Sequence, residues 1–253
     1  MENQGSGRPA QLVMSAKVWQ ILIAAILGTA LLVGLGVWQL QRLAWKEALI
    51  AERDARLNSP PVTLDQALKE FDADHPVEFL KVEADGVFQH NAEAFMLTSE
   101  GGVPGFEVVT PLQSKEGVVV LVDRGFVPEP LKDAAKRPES QPQGEVKVTG
   151  ILRRHVASRG PFSPDNDPEA NIWYWWDIPA MLAYARIAPD ARVAPFVLHV
   201  QPGEAGKTLP APLAVDTTLT NNHLQYAITW FALAALLVVM SGLLIRQTIR
   251  KGS

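Results

Sequence analysis

A chain of 253 residues with a net charge of -4 is long enough for one medium domain plus additions, and it lacks the basic surplus that nucleic-acid binding needs, so no nucleic-acid partner is expected. It contains no cysteine, which excludes disulfides, thiolate nucleophiles, Cys-ligated zinc, iron–sulfur clusters and any Cys-based copper carrier. A metal or metallocofactor would have to be held by His, Met or carboxylates, and the five histidines, His75, His90, His155, His199 and His223, show no HxxxH or HxH spacing, which argues against a preformed multi-histidine site.

The mean hydropathy of +0.05 hides a strong contrast along the chain. Residues 1–17 read as a cytoplasmic tail, too short and too poor in Arg for an organelle transit peptide, which points to a bacterial protein. Residues 18–40 form the first transmembrane helix: Ile21 to Trp38 is apolar except for Thr29, long enough to span, and followed by no small-residue cleavage site. Within it Ala24, Gly28, Ala30 and Gly34 make small-xxx-small pairs, so Gly28 and Gly34 are candidates for close contact with another helix, either the second span or a partner's. Residues 41–59 continue as an amphipathic helical extension whose cations alternate with Glu47, Glu52 and Asp54.

Residues 60–220 alternate short β-like runs with Pro and Gly, the pattern of a mostly antiparallel sheet. Thr63 to Gln66 has the capping-box form and opens a helix to about Phe71. Strands are predicted at Val77 to Glu83, Ala94 to Ser99, Phe106 to Leu112, Gly117 to Asp123, Glu145 to Leu152 and Phe196 to Val200. Asp177 followed by Pro179 predicts an N-cap and a helix to about Arg186. The second transmembrane helix covers 221–245, and 246–253 is a second tail.

The cations Arg246, Arg250 and Lys251 after the second span put both termini in the cytoplasm and the middle outside it. The first span carries the opposite bias, but its later cations belong to the charged helix face just described, so the second span decides. The fold class that follows is an α+β membrane protein, two transmembrane helices bracketing a mostly antiparallel β extracytoplasmic domain with one or two short helices.

Two enzyme-like patterns fail on inspection. Gly203 to Thr208 ends like a P-loop, but Gln201 and Pro202 stand where the first glycine turn belongs, and no helix can open in the following TLPAPL. Ser158, His155, Asp165 and Asp167 are neighbours in sequence without a GxSxG elbow, so no nucleophile set is expected and nothing marks an enzyme. Asn171 to Asp177, NIWYWWD, places Trp173, Trp175 and Trp176 within four residues, rings that either pack a core or anchor a protein partner. Trp19, Trp38, Trp45 and Trp230 flank the spans as an interfacial belt would.

At the start of the second span, TNNHLQYAITWF, helical spacing puts His223, Tyr226 and Trp230 on one face. Asn222 with Gln225 can cap the helix, and a neutral imidazole at a membrane boundary can ligate haem iron; the two readings stand side by side.

Six stretches taken in order resemble the surfeit locus protein 1 family of cytochrome c oxidase assembly factors. They are GVWQLQRLAWKEALI at 36–50, PVTL at 61–64, GFEVVTPL at 105–112, VLVDRGFVP at 120–128, NIWYWWD at 171–177 and NNHLQYAITW at 221–230. Where the family has Asn-Arg-Gly-Trp-Val-Pro, this chain has Asp123, Arg124, Gly125, Phe126, Val127 and Pro128, so roles of that Asn or Trp do not carry over. The resemblance implies a bacterial inner-membrane protein with a periplasmic domain that binds haem a and helps insert it into oxidase subunit I. Haem A synthase is then the donor, the lipid bilayer the surroundings, and His223 the iron ligand. The alternative is a scaffold or accessory subunit that stabilises an oxidase intermediate without binding haem.

Overall fold

The computed structural model describes residues 16–155, 159–202, 209–215 and 217–252. It divides into two compact units, one of residues 1–51 with 219–253 and one of residues 52–218. The P-loop-like stretch at 203–208 and Ser158 lie outside the described residues.

The terminal helices are α1 (Ala16–Leu57) and α4 (His223–Gly252). Both are long and apolar enough to cross a membrane, each with a mean hydropathy of 2.4 in its most apolar window. Their large apolar side chains, among them Ile26, Leu27 and Leu31 on α1 and Leu236, Val239 and Met240 on α4, face outward, as a lipid solvent permits. At the far end of α1, Arg56 pairs with Glu52 one turn away at 2.5 Å, the charged face expected there.

The second unit holds β1 (Val62–Thr63), α2 (Leu64–Asp72), β2 (Lys81–Phe88), β3 (Ala94–Glu100), β4 (Val103–Ser114), β5 (Val119–Pro128), β6 (Glu145–Arg153), α3 (Ile178–Tyr184) and β7 (Val193–Val200). Thr63 and Gln66 complete the reciprocal capping box that starts α2, and Asp177 accepts the Ala180 amide to start α3. The first predicted strand is displaced: Leu80 N–H donates to the Val77 carbonyl and Phe79 has φ 66°, so a turn occupies that place and the strand begins at Lys81.

The seven strands run in the order β1-β2-β6-β7-β5-β4-β3, antiparallel except for β1 with β2 and β5 with β7. An additional pairing of β2 with β4 joins the ends of the five inner strands, so β2, β6, β7, β5 and β4 close on themselves. Closure removes the open edges that invite wrong pairing. It also demands a close backbone approach at Gly86, where a Cβ would lie 2.3 Å from the Gln113 carbonyl oxygen.

Alternate residues of the ring, Val82, Ala84, Leu112, Val120, Val122, Val148, Phe196 and Leu198, form one core that α2 covers with Leu64, Ala67 and Leu68. The opposite faces of β4, β5 and β7 build a second cluster of Val109, Leu121 and Val197 with Ala94 and Met96 of β3, covered by Met181 of α3 and by Trp173. Along β5, Val120 and Val122 therefore belong to the first core and Leu121 to the second, successive side chains facing opposite sides of the strand.

Gly125 has φ 105°, and a Cβ there would stand 2.1 Å from the Ala211 carbonyl oxygen, the partner of the Phe126 amide. Gly125→Ala combines left-handed strain with a backbone collision, so we expect a loss of at least ~3 kcal/mol in chemical denaturation, or no folded protein.

Candidate functional site

Within the unit of the two spans, small residues set how closely the helices pack. A Cβ on Gly28 would come 2.8 Å from Leu237 of α4, and one on Gly36 would come 2.7 Å from the Phe231 ring. Gly28 thus faces the chain's own second span. Gly34, the other glycine candidate of that span, has open space around it and makes no such contact. Gly36 carries the close approach instead, a glycine that the small-xxx-small spacing passes over.

His223 opens α4, and its main-chain amide donates to Asn221 Oδ1 at 3.4 Å, so the side-chain cap comes from Asn221, where Asn222 is the residue expected from sequence. The Asn222 carbonyl instead accepts the Tyr226 amide. The imidazole is half-buried, and its Nδ1 meets Gln39 Oε1 of α1 at 2.7 Å. A carbonyl oxygen only accepts, so Nδ1 carries the hydrogen and Nε2 is left with its lone pair. Gln39 is itself buried at 8% exposure, which makes the bond a condition of placing its amide there. Tyr226 is exposed and Trp230 half-buried on the same helix. Gln39 is invisible to motif reasoning because its partner is 184 residues away; the available hint is a glutamine recurring just past an apolar run.

The NIWYWWD stretch does most of its work inside the β-rich unit. Asn171, at φ 51°, donates to the Glu93 carbonyl at 2.8 Å and accepts from the Trp173 indole at 3.0 Å. Trp173 is fully buried and trades main-chain bonds with Phe95 and Leu97, adding a short parallel bridge to β3. The expectation of a partner-binding Trp173 is corrected by that burial: the ring fills the second core and offers no surface. Trp175 and Trp176 are half-buried; the Trp175 indole Nε1 has no hydrogen-bond partner among the described residues, and Trp176 stacks on His155 with centroids 4.1 Å apart.

The remaining polar groups cluster around β5. Arg124 Nη1 donates to Glu93 Oε1 at 3.0 Å, Arg137 Nη2 donates to Glu93 Oε2, and Arg137 Nη1 donates to Ser140 Oγ at 2.7 Å. All four residues are buried. Burial, opposed by Glu93, brings the Arg124 guanidinium down to about 10. On the opposite face Asp123 accepts from His199, and His199 meets His155. Their separation in sequence, 44 residues, is why spacing shows no histidine cluster. Burial chiefly, with His199 beside it, pushes His155 down to about 3 and keeps it neutral. Asp165 is held by Arg159 at 2.7 Å and Asp167 by the Ala170 amide, so neither carboxylate serves His155 as a triad acid. His75 is a surface residue paired with Glu70.

Glu107 of β4 is raised to about 7 by burial and by the nearby Asp123 charge. A carboxyl raised above its unfolded value binds its proton more tightly in the folded chain, so stability falls as pH rises from about 4.5 to about 7. We expect Glu107→Gln to flatten that part of the stability–pH curve and to raise the melting temperature at pH 8 more than at pH 5.

The family model described as "SURF1 family" matches residues 26–235. Surfeit locus protein 1 of Homo sapiens is 36% identical over 219 residues, covering 80% of this chain and 70% of its own. A SURF1-like protein of Monosiga brevicollis is 36% identical over 221 residues, covering 82% and 80%. Surfeit locus protein 1 of Xenopus tropicalis is 34% identical over 221 residues, covering 79% and 68%. The match runs from within the first span to within the second and takes in the whole β-rich unit, with Gln39, Asp123, Arg124 and His223 inside its bounds; the chain belongs to the SURF1 family.

Proposed function

We propose that this chain is an assembly factor for cytochrome c oxidase that takes haem a from haem A synthase and passes it to oxidase subunit I. The observation that carries the reading is the bond between His223 Nδ1 and Gln39 Oε1 at 2.7 Å. A histidine that ligates a metal commonly donates its other ring N–H to a fixed oxygen, which sets the tautomer and raises the basicity of the ligating nitrogen. Gln39 does this for His223, so Nε2 is the atom that would hold haem iron, with Tyr226 and Trp230 lending aromatic surface to the same side of α4.

Haem here is cargo. The chain's own residues perform no bond-breaking step: they bind, orient and release. Release needs only that the acceptor hold haem more tightly than this site, and a single imidazole backed by a neutral amide is a weaker hold than one backed by a carboxylate. The protein would sit in a bacterial inner membrane with both termini cytoplasmic and residues 60–220 in the periplasm. The basic residues after the second span support that orientation, and the apolar outer faces of the helices support lipid as their surroundings.

A scaffold reading draws on a different observation, the half-buried rings of Trp175 and Trp176 side by side in NIWYWWD. Partly exposed indoles can anchor a protein partner, and this reading predicts oxidase co-purification that survives His223→Ala.

Co-expression with haem A synthase followed by purification and an absorption spectrum tests the haem reading. We expect bound haem in the wild type, none in His223→Ala, and binding weakened by ~10–100-fold in Gln39→Leu. Wild-type protein free of haem, or equal occupancy in His223→Ala, overturns it.

A further inference from the structure

The β-rich unit contains a second ordered imidazole arrangement. Asp123 is buried, and both of its oxygens are engaged: Oδ1 accepts the Gly125 amide at 3.0 Å and Oδ2 meets His199 Nδ1 at 2.8 Å. An ionised carboxylate only accepts, so His199 carries its hydrogen on Nδ1 and turns the Nε2 lone pair away from Asp123. That lone pair faces His155, with the two Nε2 atoms 2.8 Å apart. A single hydrogen therefore lies between the rings, on His155 Nε2. Trp176 closes one side, stacked on His155 at 20° and 5.7 Å from the His199 centroid.

Three features make this more than a hydrogen-bonded pair. The nitrogens converge on one point. The rear nitrogen of His199 is bonded to a buried carboxylate, the arrangement that stands behind metal-bound histidines. That carboxylate is itself fixed by the backbone of β5, so the whole file is ordered without a ligand. We propose that His155 and His199 form a site for one imidazole-preferring transition-metal ion, copper or zinc, which enters between the two Nε2 atoms.

The exchange balances simply: the His155 Nε2 hydrogen leaves as a proton to solvent, and each nitrogen contributes one lone pair to the ion. Two nitrogens ~2.0 Å from a tetrahedral ion stand about 3.3 Å apart, so the pair must open by ~0.5 Å. His155 can supply that movement, because it stands two residues past the end of β6 whereas His199 lies within β7. Hard cations are disfavoured, since the only carboxylate in the file is already spent on His199. Among the described residues no group of three His, Asp or Glu is disposed around a metal ion, so the remaining positions fall to water or to a donor from another molecule. Such a site loads and unloads, unlike a closed four-ligand structural centre.

The test uses the purified full chain in detergent, titrated with Cu2+ alone. We expect saturable binding of one ion with quenching of tryptophan fluorescence, as Trp176 stacks on a ligand ring, and an electron paramagnetic resonance spectrum with hyperfine structure from two nitrogens. His155→Gln and His199→Gln should each abolish the binding, and Asp123→Asn should weaken it by ~10–100-fold. His75→Gln and His223→Ala should leave it unchanged, which separates this site from the one proposed on α4. Gln at position 155 keeps an N–H for His199 Nε2, and the nitrogen count on the wild-type chain needs no variant at all. Absence of saturable binding, a spectrum with fewer than two nitrogens, or binding undiminished in both Gln variants overturns the proposal.

Discussion

A single buried carboxylate facing two arginines organises the β-rich unit. Glu93 precedes β3, Arg124 lies within β5, and Arg137 lies in the connection between β5 and β6, so one ion cluster ties three separate parts of the chain together. The cost of removing these charges from water is offset only because nearly every group has a partner: Arg137 also donates to Ser140 and to the Leu131 carbonyl, and Arg124 to the Ser140 carbonyl. Phe88 and Phe95 lie beneath the two guanidinium planes and contribute cation–π attraction in a site of low dielectric. Loss of one partner strands a charge, so the cluster behaves as one unit and not as a sum of pairs.

From Arg124 the consequences run outward along β5. Strand alternation turns Asp123 to the opposite face, where it orders His199 and through it His155 and Trp176. Gly125 then lets the backbone approach Ala211, which brings a later segment against Phe126. Three consecutive residues thus serve a charge cluster, a histidine file and a chain crossing. The NIWYWWD loop is held by both faces: Asn171 binds the Glu93 carbonyl, while Trp176 lies on His155.

The helix pair obeys a different solvent. Large apolar residues point outward, while two glycines, Gly28 and Gly36, lie inward where they meet Leu237 and Phe231. Against that apolar background a glutamine–histidine bond is unusual, because each polar group must satisfy the other where water is scarce. It leaves one imidazole nitrogen with a free lone pair at the start of α4, and that asymmetry is the chemical capacity of the site.

Local features were legible in the sequence for a physical reason: they depend on neighbours within a few residues. Hydropathy marked both spans, alternation marked five of six strands in place, and the caps at Thr63 and Asp177 followed from side chains reaching amides three positions on. His223 stood out by its place beside an apolar run. What tertiary structure alone decided are the meetings of distant residues. The closure of β2 on β4, the burial of Trp173, the choice of Gly36 over Gly34 at the helix contact, the Gln39 partner of His223 and the joining of His155 to His199 all depend on chain paths that no periodicity encodes. Sequence by itself determined most of the helices and strands and both apolar spans, because those choices are set largely by local sterics and solvent. Only the fold decided which histidine nitrogen is free, because that depends on an acceptor brought from elsewhere in the chain.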